Sequence, residues 1–317
     1  MKRIYLLGIL LVSFSQHGNC TQKLTEVIQF ASVEKSQMLL SQEDDFTDRW
    51  SPLDIDIRMQ KANSTKEELL AYIPTQALEW DDKDKRLLYS IIEKIDTEIF
   101  SQGYKLNIPD TIFFIKTTMD EEFKGASGYT RTNYIILNTD KIKVSNDMLE
   151  HVIIHELFHV LSRHDPEFRS KMYGLIGFKM INEIRLPNDL QVMKLTNPDA
   201  PYIDSYIQLE YDNQPVKCAM INYSKKSYRE GTIKEYLNIG FLKLTDSEEY
   251  KIDYIDEKPM IYSIQEVSDF FEQVGKNTNY LISPEEILAE NFTHILLNKK
   301  DLPNPEIIDK IKKILRE

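Results

Sequence analysis

The stretch SNDMLEHVIIHELFHVLSRHD, from Ser145 to Asp165, decides how the rest of the chain is read. Ser145, Asn146 and Asp147 offer capping oxygens, and Asp147 with Glu150 three residues on approximates a capping box, so a helix starts here. It ends at Asp165-Pro166, because a residue before proline is pushed out of helical angles. Val152, Ile153, Ile154, Leu157, Phe158, Val160 and Leu161 take up most of the circumference, which predicts a buried helix rather than a surface one.

Polar residues in such a setting need partners. His155 and His159, in the HExxH His155-Glu156-Leu157-Phe158-His159, are four apart and project from one face, where a single Zn²⁺ can take a nitrogen from each. Glu156 lies about a hundred degrees round the helix from His155, beside the metal position without ligating it, placed to accept a proton from a zinc-bound water. The plainer alternative is a pair of buried histidines bonded to backbone groups.

Working outward, Thr111–Thr118 is rich in β-formers and predicts a strand, Gly125, Ser127 and Gly128 mark a turn, and 129–138 predicts a second strand, strongest over Tyr134–Leu137. Residues 20–110 predict an N-terminal helical region. Its best helix runs over 85–100, with Leu88, Ile91, Ile92, Ile95 and Ile99 at helical spacing, and Ser64-Thr65-Lys66-Glu67 offers a capping box before another. After Pro166 a second helix is expected to Phe178. In 183–265 three strand-like runs are expected, at 206–209, 216–222 and 237–244, with tyrosines packed in surface loops.

Two histidines and a water leave one zinc position for the protein to fill. The best candidate lies in SPEEILAENFTHILLN, from Ser283 to Asn298. Ser283 caps that helix, Pro284 takes its first position and Glu286 completes a capping box. Glu286 and Glu290 share one face, which His294 extends by a turn. With Glu286 on the metal, Glu290 can accept the free ring N–H of a ligand histidine.

HELFH followed well downstream by EILAENF resembles the gluzincin group of zinc metallopeptidases, to which thermolysin-type and lethal-factor-type enzymes belong. The resemblance implies an α+β, zincin-like catalytic domain over 111–317, with an insertion at about 183–265. Strands before the HExxH helix suit it, the last one lining the cleft where an extended substrate pairs. Carried over residue by residue, the ligands are His155, His159 and Glu286, the general base is Glu156, and Glu290 is the acid behind a ligand. The activity implied is hydrolysis of peptide bonds. Tyr280 is the preferred donor to the developing oxyanion, with Tyr262 behind it. Asp165, at the metzincin position but with Ser162 in place of the turn glycine, and Glu235, in a GTIKE similar to the aspzincin GTxxD, remain alternatives as third ligand. His151 and His164 are expected to be outer or surface residues.

At 317 residues the chain makes one large domain or two moderate ones, and 42% hydrophobic with 28% charged residues is globular composition. A formal charge of −12 without a basic stripe argues against nucleic acid as a partner. Residues 1–19 read as a signal peptide, with Lys2 and Arg3 before the apolar run Ile4–Phe14. Cys20 directly after it resembles the bacterial lipoprotein type, implying an extracytoplasmic protein held to a membrane by lipid, or else secreted. With Cys20 lipidated, Cys218 has no disulfide partner. The rival class is a non-catalytic zinc-containing surface lipoprotein acting as a binding module, but a structural site has no need of Glu156.

Overall fold

The N-terminal residues build part of the same sheet as the residues that follow them. The computed structural model describes residues 22–123, 125–138, 145–247 and 249–317. The signal segment 1–19 and Cys20 lie outside the described residues. The first part runs α1 (Leu24–Val27), β1 (Ile28–Phe30), α2 (Val33–Leu40), α3 (Pro52–Met59), α4 (Lys66–Tyr72), β2 (Ala77–Leu78) and α5 (Asp82–Ser101). Then come β3 (Ile112–Thr117), β4 (Gly128–Arg131), β5 (Tyr134–Leu137), α6 (Asn146–His164), α7 (Pro166–Leu175) and β6 (Phe178–Met180). Next are α8 (Asn188–Gln191), β7 (Ser205–Tyr211), β8 (Gln214–Tyr223), β9 (Asn238–Lys243), β10 (Tyr254–Ile255), β11 (Lys258–Pro259) and β12 (Ile261–Tyr262). The chain closes with α9 (Phe270–Val274), α10 (Pro284–Leu296) and α11 (Pro305–Ile314), a mixed α+β arrangement.

In the first sheet the order is β1-β3-β5-β4, with β2 antiparallel on β3. β1, β3 and β5 are parallel, while β4 runs antiparallel to β5 and forms the free edge. Two expectations change here. Residues 20–110 are not purely helical, since β1 and β2 both pair with β3; at three and two residues they are too short to show a period. The single strand expected over 129–138 is a hairpin, turned at Thr132-Asn133 with Thr132 at φ 45°. No glycine marks that turn, so the sequence hides it. Of the two hairpin strands, β4 is the one at the sheet edge.

Residues 178–262 form a second, all-antiparallel sheet, β12-β9-β8-β7-β6, and its three long strands fall on the runs expected from sequence, β9 one residue shorter at each end. Tyr262 stacks on Tyr211 in this sheet, ring centroids 4.2 Å apart. Cys218 is buried in β8 and unpaired among the described residues. No helix of the described residues is long and apolar enough to cross a membrane.

α5 caps on Asp81 and buries Leu88, Ile91, Ile92, Ile95 and Ile99, as its spacing predicts. α4 forms its capping box from Thr65 and Glu68, one residue later than expected. α6 is buried nearly all round, between the first sheet and α10. Phe158 of α6 and Phe292 of α10 are fully buried with centroids 5.6 Å apart. Truncating either residue to alanine costs roughly 3–5 kcal/mol in a close-packed core, so this contact holds the two helices in fixed register.

Candidate metal centre

The register of α6 against α10 sets the first α10 turn opposite the HExxH face. His155 Nε2 lies 2.8 Å from Glu286 Oε2, and His159 Nε2 lies 3.6 Å from the same oxygen. All three side chains are buried. Ser283 caps α10 by accepting from the Glu286 N–H at 3.2 Å. The Glu286 carboxylate does not return that bond, so the expected capping box does not form; it turns to the histidines instead.

Each ligand candidate is held from behind. His155 Nδ1 meets Glu290 Oε1 at 3.0 Å, and His151 Nε2 reaches the same oxygen at 2.9 Å. His159 Nδ1 meets Glu285 Oε1 at 3.3 Å, and the other Glu285 oxygen accepts from Ser162 at 3.0 Å and Tyr173 at 2.8 Å. With both Nδ1 atoms engaged by carboxylates, both Nε2 atoms face inward.

Those inward atoms fit a tetrahedral cation. His155, His159 and Glu286 offer one ligand atom each within 4.8 Å of one another. Donors about 2.0–2.1 Å from one zinc ion stand roughly 3.3 Å apart, between the 2.8 Å and 3.6 Å that separate Glu286 Oε2 from the two Nε2 atoms. His159 Nε2 is buried without a hydrogen-bond partner among the described residues, an arrangement that a metal bond would satisfy.

The charges point the same way. Burial opposes a proton on His155, but Glu286 and Glu290 outweigh it and hold its pKa up at about 10. Burial likewise opposes charge on His159, where Asp199, Glu286 and the Glu285 bond raise the pKa well above the imidazole range. Burial works to raise Glu286 and Glu290, yet the histidines beside them pull both below the usual carboxylate range. Negative charge around the imidazoles thus favours positive charge at this centre, carried by protons on the rings or by a cation between them.

Glu156 stands next to this group, buried, with Oε2 accepting from Thr130 Oγ1 of β4 at 2.8 Å. Burial raises its pKa, and the two histidines only partly offset that. The Tyr280 ring lies 6.0 Å from His155. The Glu286 charge, then burial, raises its phenol well above the ordinary value, keeping it a proton donor. Gly128, His155, Glu156, Tyr280 and Glu290 line a cavity of about 410 Å³.

Other candidates sit elsewhere. Asp165 caps α7, its Oδ1 accepting from the N–H of Glu167 at 3.0 Å and of Phe168 at 2.9 Å. Glu235 closes a capping box with Thr232. Tyr262 is committed to the second sheet, and His294 reaches the Asn277 carbonyl at 3.0 Å rather than extending the Glu290 face. His164 lines a separate cavity.

Four residues absent from the sequence reading belong to this centre: Glu285, Thr130, Asn197 and Asp199. Asn197 Nδ2 donates to Glu286 Oε1 at 2.6 Å, and Asp199 Oδ1 accepts the Thr130 N–H at 2.7 Å. Asp199, Glu156 and His159 also place ligand atoms within 4.8 Å of one another. Burial and then the Glu156 charge push the Asp199 carboxyl well above the carboxylate range. The only local signal was the turn cluster Asn197-Pro198-Asp199-Ala200-Pro201, which gives no direction in space. Compared with known proteins, the chain matches no family model, no curated sequence and no solved structure.

Proposed function

We propose that the chain is a zinc-dependent peptidase of gluzincin type on a zincin-like fold, working outside the cytoplasm and held to a membrane through lipid at Cys20. One observation carries the reading. His155 and His159 turn their Nε2 atoms toward Glu286, with the His159 atom otherwise unpartnered, while Glu156 stands beside them bonded to Thr130. A purely structural zinc site accounts for the first half but not for the buried acid.

His155, His159 and Glu286 would hold the ion. Zinc there supplies Lewis acidity toward a scissile carbonyl and a lowered pKa for bound water. Glu156 accepts the proton from the attacking water and delivers it to the leaving amine; its raised pKa brings it nearer to the working pH. The Thr130 hydroxyl fixes the carboxylate on the side of β4, along which an extended peptide adds as a further strand. Tyr280, kept protonated, donates to the carbonyl oxygen as charge develops on it. Glu290 and Glu285 keep the imidazoles turned inward.

Purified without chelators, the mature chain should carry one zinc. Glu156→Gln should keep the metal and the fold but lose peptide hydrolysis by several orders of magnitude, because only the proton acceptor is deleted. Absence of zinc from the wild type, or a Gln variant that cleaves a responsive peptide at the wild-type rate, would overturn the assignment.

A further inference from the structure

We propose that the segment Asn197–Tyr202 is a built-in plug of this centre, in which Asp199 holds the place that a substrate strand takes on β4. The proposal rests on the peptidase reading above and adds its regulation.

β4 is an edge strand, and Thr130 pairs with Ile135 of β5 on its inner side. The Thr130 N–H is given to Asp199 Oδ1 at 2.7 Å. A peptide adding to an edge strand must offer its carbonyl oxygens to such N–H groups. Asp199 offers a carboxyl oxygen to the same donor, so the two cannot be bound together. A second contact blocks the metal side: Asn197 Nδ2 donates to Glu286 Oε1 at 2.6 Å, within the ligand set itself.

The plug is a shaped turn, not a strand of its own. Asn197 Oδ1 accepts the Asp199 N–H at 3.1 Å, and the Asn197 carbonyl accepts the Ala200 N–H at 3.2 Å. Pro198 and Pro201 have no N–H to give to a ladder. Its two ends are anchored outside the centre. Before it, Thr196 bonds the buried Asp54 through N at 2.8 Å and Oγ1 at 2.7 Å. After it, the Arg49 guanidinium lies 3.8 Å from the Tyr202 ring centroid. In the middle, Arg163 donates to the Pro198 carbonyl and, through Nη1, to Asp45 Oδ2 at 2.6 Å. Asp199 lines both the cavity beside Glu156 and a second one of about 600 Å³ reaching Thr132 and Arg163. Moving the turn outward joins the two along β4.

The test uses the full mature chain loaded with cobalt, whose visible absorption reports ligand changes, and a short peptide hydroxamate as probe. Asp199→Ala, and separately Arg163→Ala, which frees Pro198 without touching the centre, should each bind the hydroxamate at least tenfold more tightly than the wild type. Cobalt binding intact with hydroxamate affinities unchanged or weaker in both variants overturns the plug alone. Failure of the wild type and both variants to bind cobalt overturns the peptidase reading and the plug with it.

Discussion

Glu285 Oε1 lies 3.3 Å from His159 Nδ1, and so the acid one residue before the candidate ligand Glu286 serves the opposite nitrogen of the same ring. Consecutive residues on a helix diverge by about a hundred degrees. α10 uses that divergence to place one carboxylate in front of His159 and one behind it. Burial opposes charge on Glu285, but His159, Arg169 and the Tyr173 hydroxyl hold its pKa down, so it stays an acceptor for the ring N–H.

Glu285→Ala should therefore weaken zinc affinity by about 10–100-fold, the range for partners that orient a ligand. It also leaves the Ser162 and Tyr173 hydroxyls without their acceptor in the core, costing on the order of 1–3 kcal/mol each. Both hydroxyls donate to the same Glu285 oxygen, so Glu285→Gln with its amide oxygen in that place keeps the acceptor for both and should lose less stability. Zinc titration with denaturant melts on both variants checks this; full zinc affinity in Glu285→Ala would show the contact to be incidental.

The third-ligand alternatives separate by the same measurement. Glu286→Ala should abolish tight zinc binding, and Glu290→Ala should weaken it by about 10–100-fold through loss of the His155 contact. Asp165→Ala should leave zinc affinity unchanged and cost about 1 kcal/mol of stability, because Asp165 caps α7. Loss of zinc confined to Asp165→Ala would shift the centre to the end of α6.

The legible part of this molecule is the part written in local chemistry. The caps at Ser145 and Ser283 and the HExxH spacing identify two helices and three inward-facing side chains without reference to anything distant. Glu290 was legible because a turn of helix fixes its place relative to Glu286. Glu285 was not, since its value depends on where α7 brings Tyr173. The β4–β5 hairpin was hidden by a turn that uses Thr132 and Asn133 where glycine is the usual signal. Asp199 was the least legible. It stands on a loop leading into the second sheet, and only tertiary packing carries it back to Thr130.

Glu121 makes a prediction independent of zinc. It is buried, with Oε1 accepting from Thr117 at 2.6 Å and Tyr129 at 3.2 Å, while Oε2 is buried without a partner among the described residues. Burial pushes its pKa up to about 7, more than the bonds from Thr117 and Tyr129 pull it down. A carboxyl whose pKa is higher folded than unfolded binds its proton more tightly in the folded state. Its contribution is thus fully present below the unfolded value of about 4.3 and is lost as pH rises through 7. A shift of this size corresponds to on the order of 3 kcal/mol. Glu121→Gln keeps the shape and the acceptor for Thr117 and Tyr129 but cannot ionise. Denaturant unfolding at several pH values should show the wild type losing stability relative to the Gln variant between about pH 4.3 and 7, with the gap constant outside that window. A gap that does not change with pH would mean that Glu121 ionises in the folded protein without penalty, and that its unpartnered oxygen is solvated.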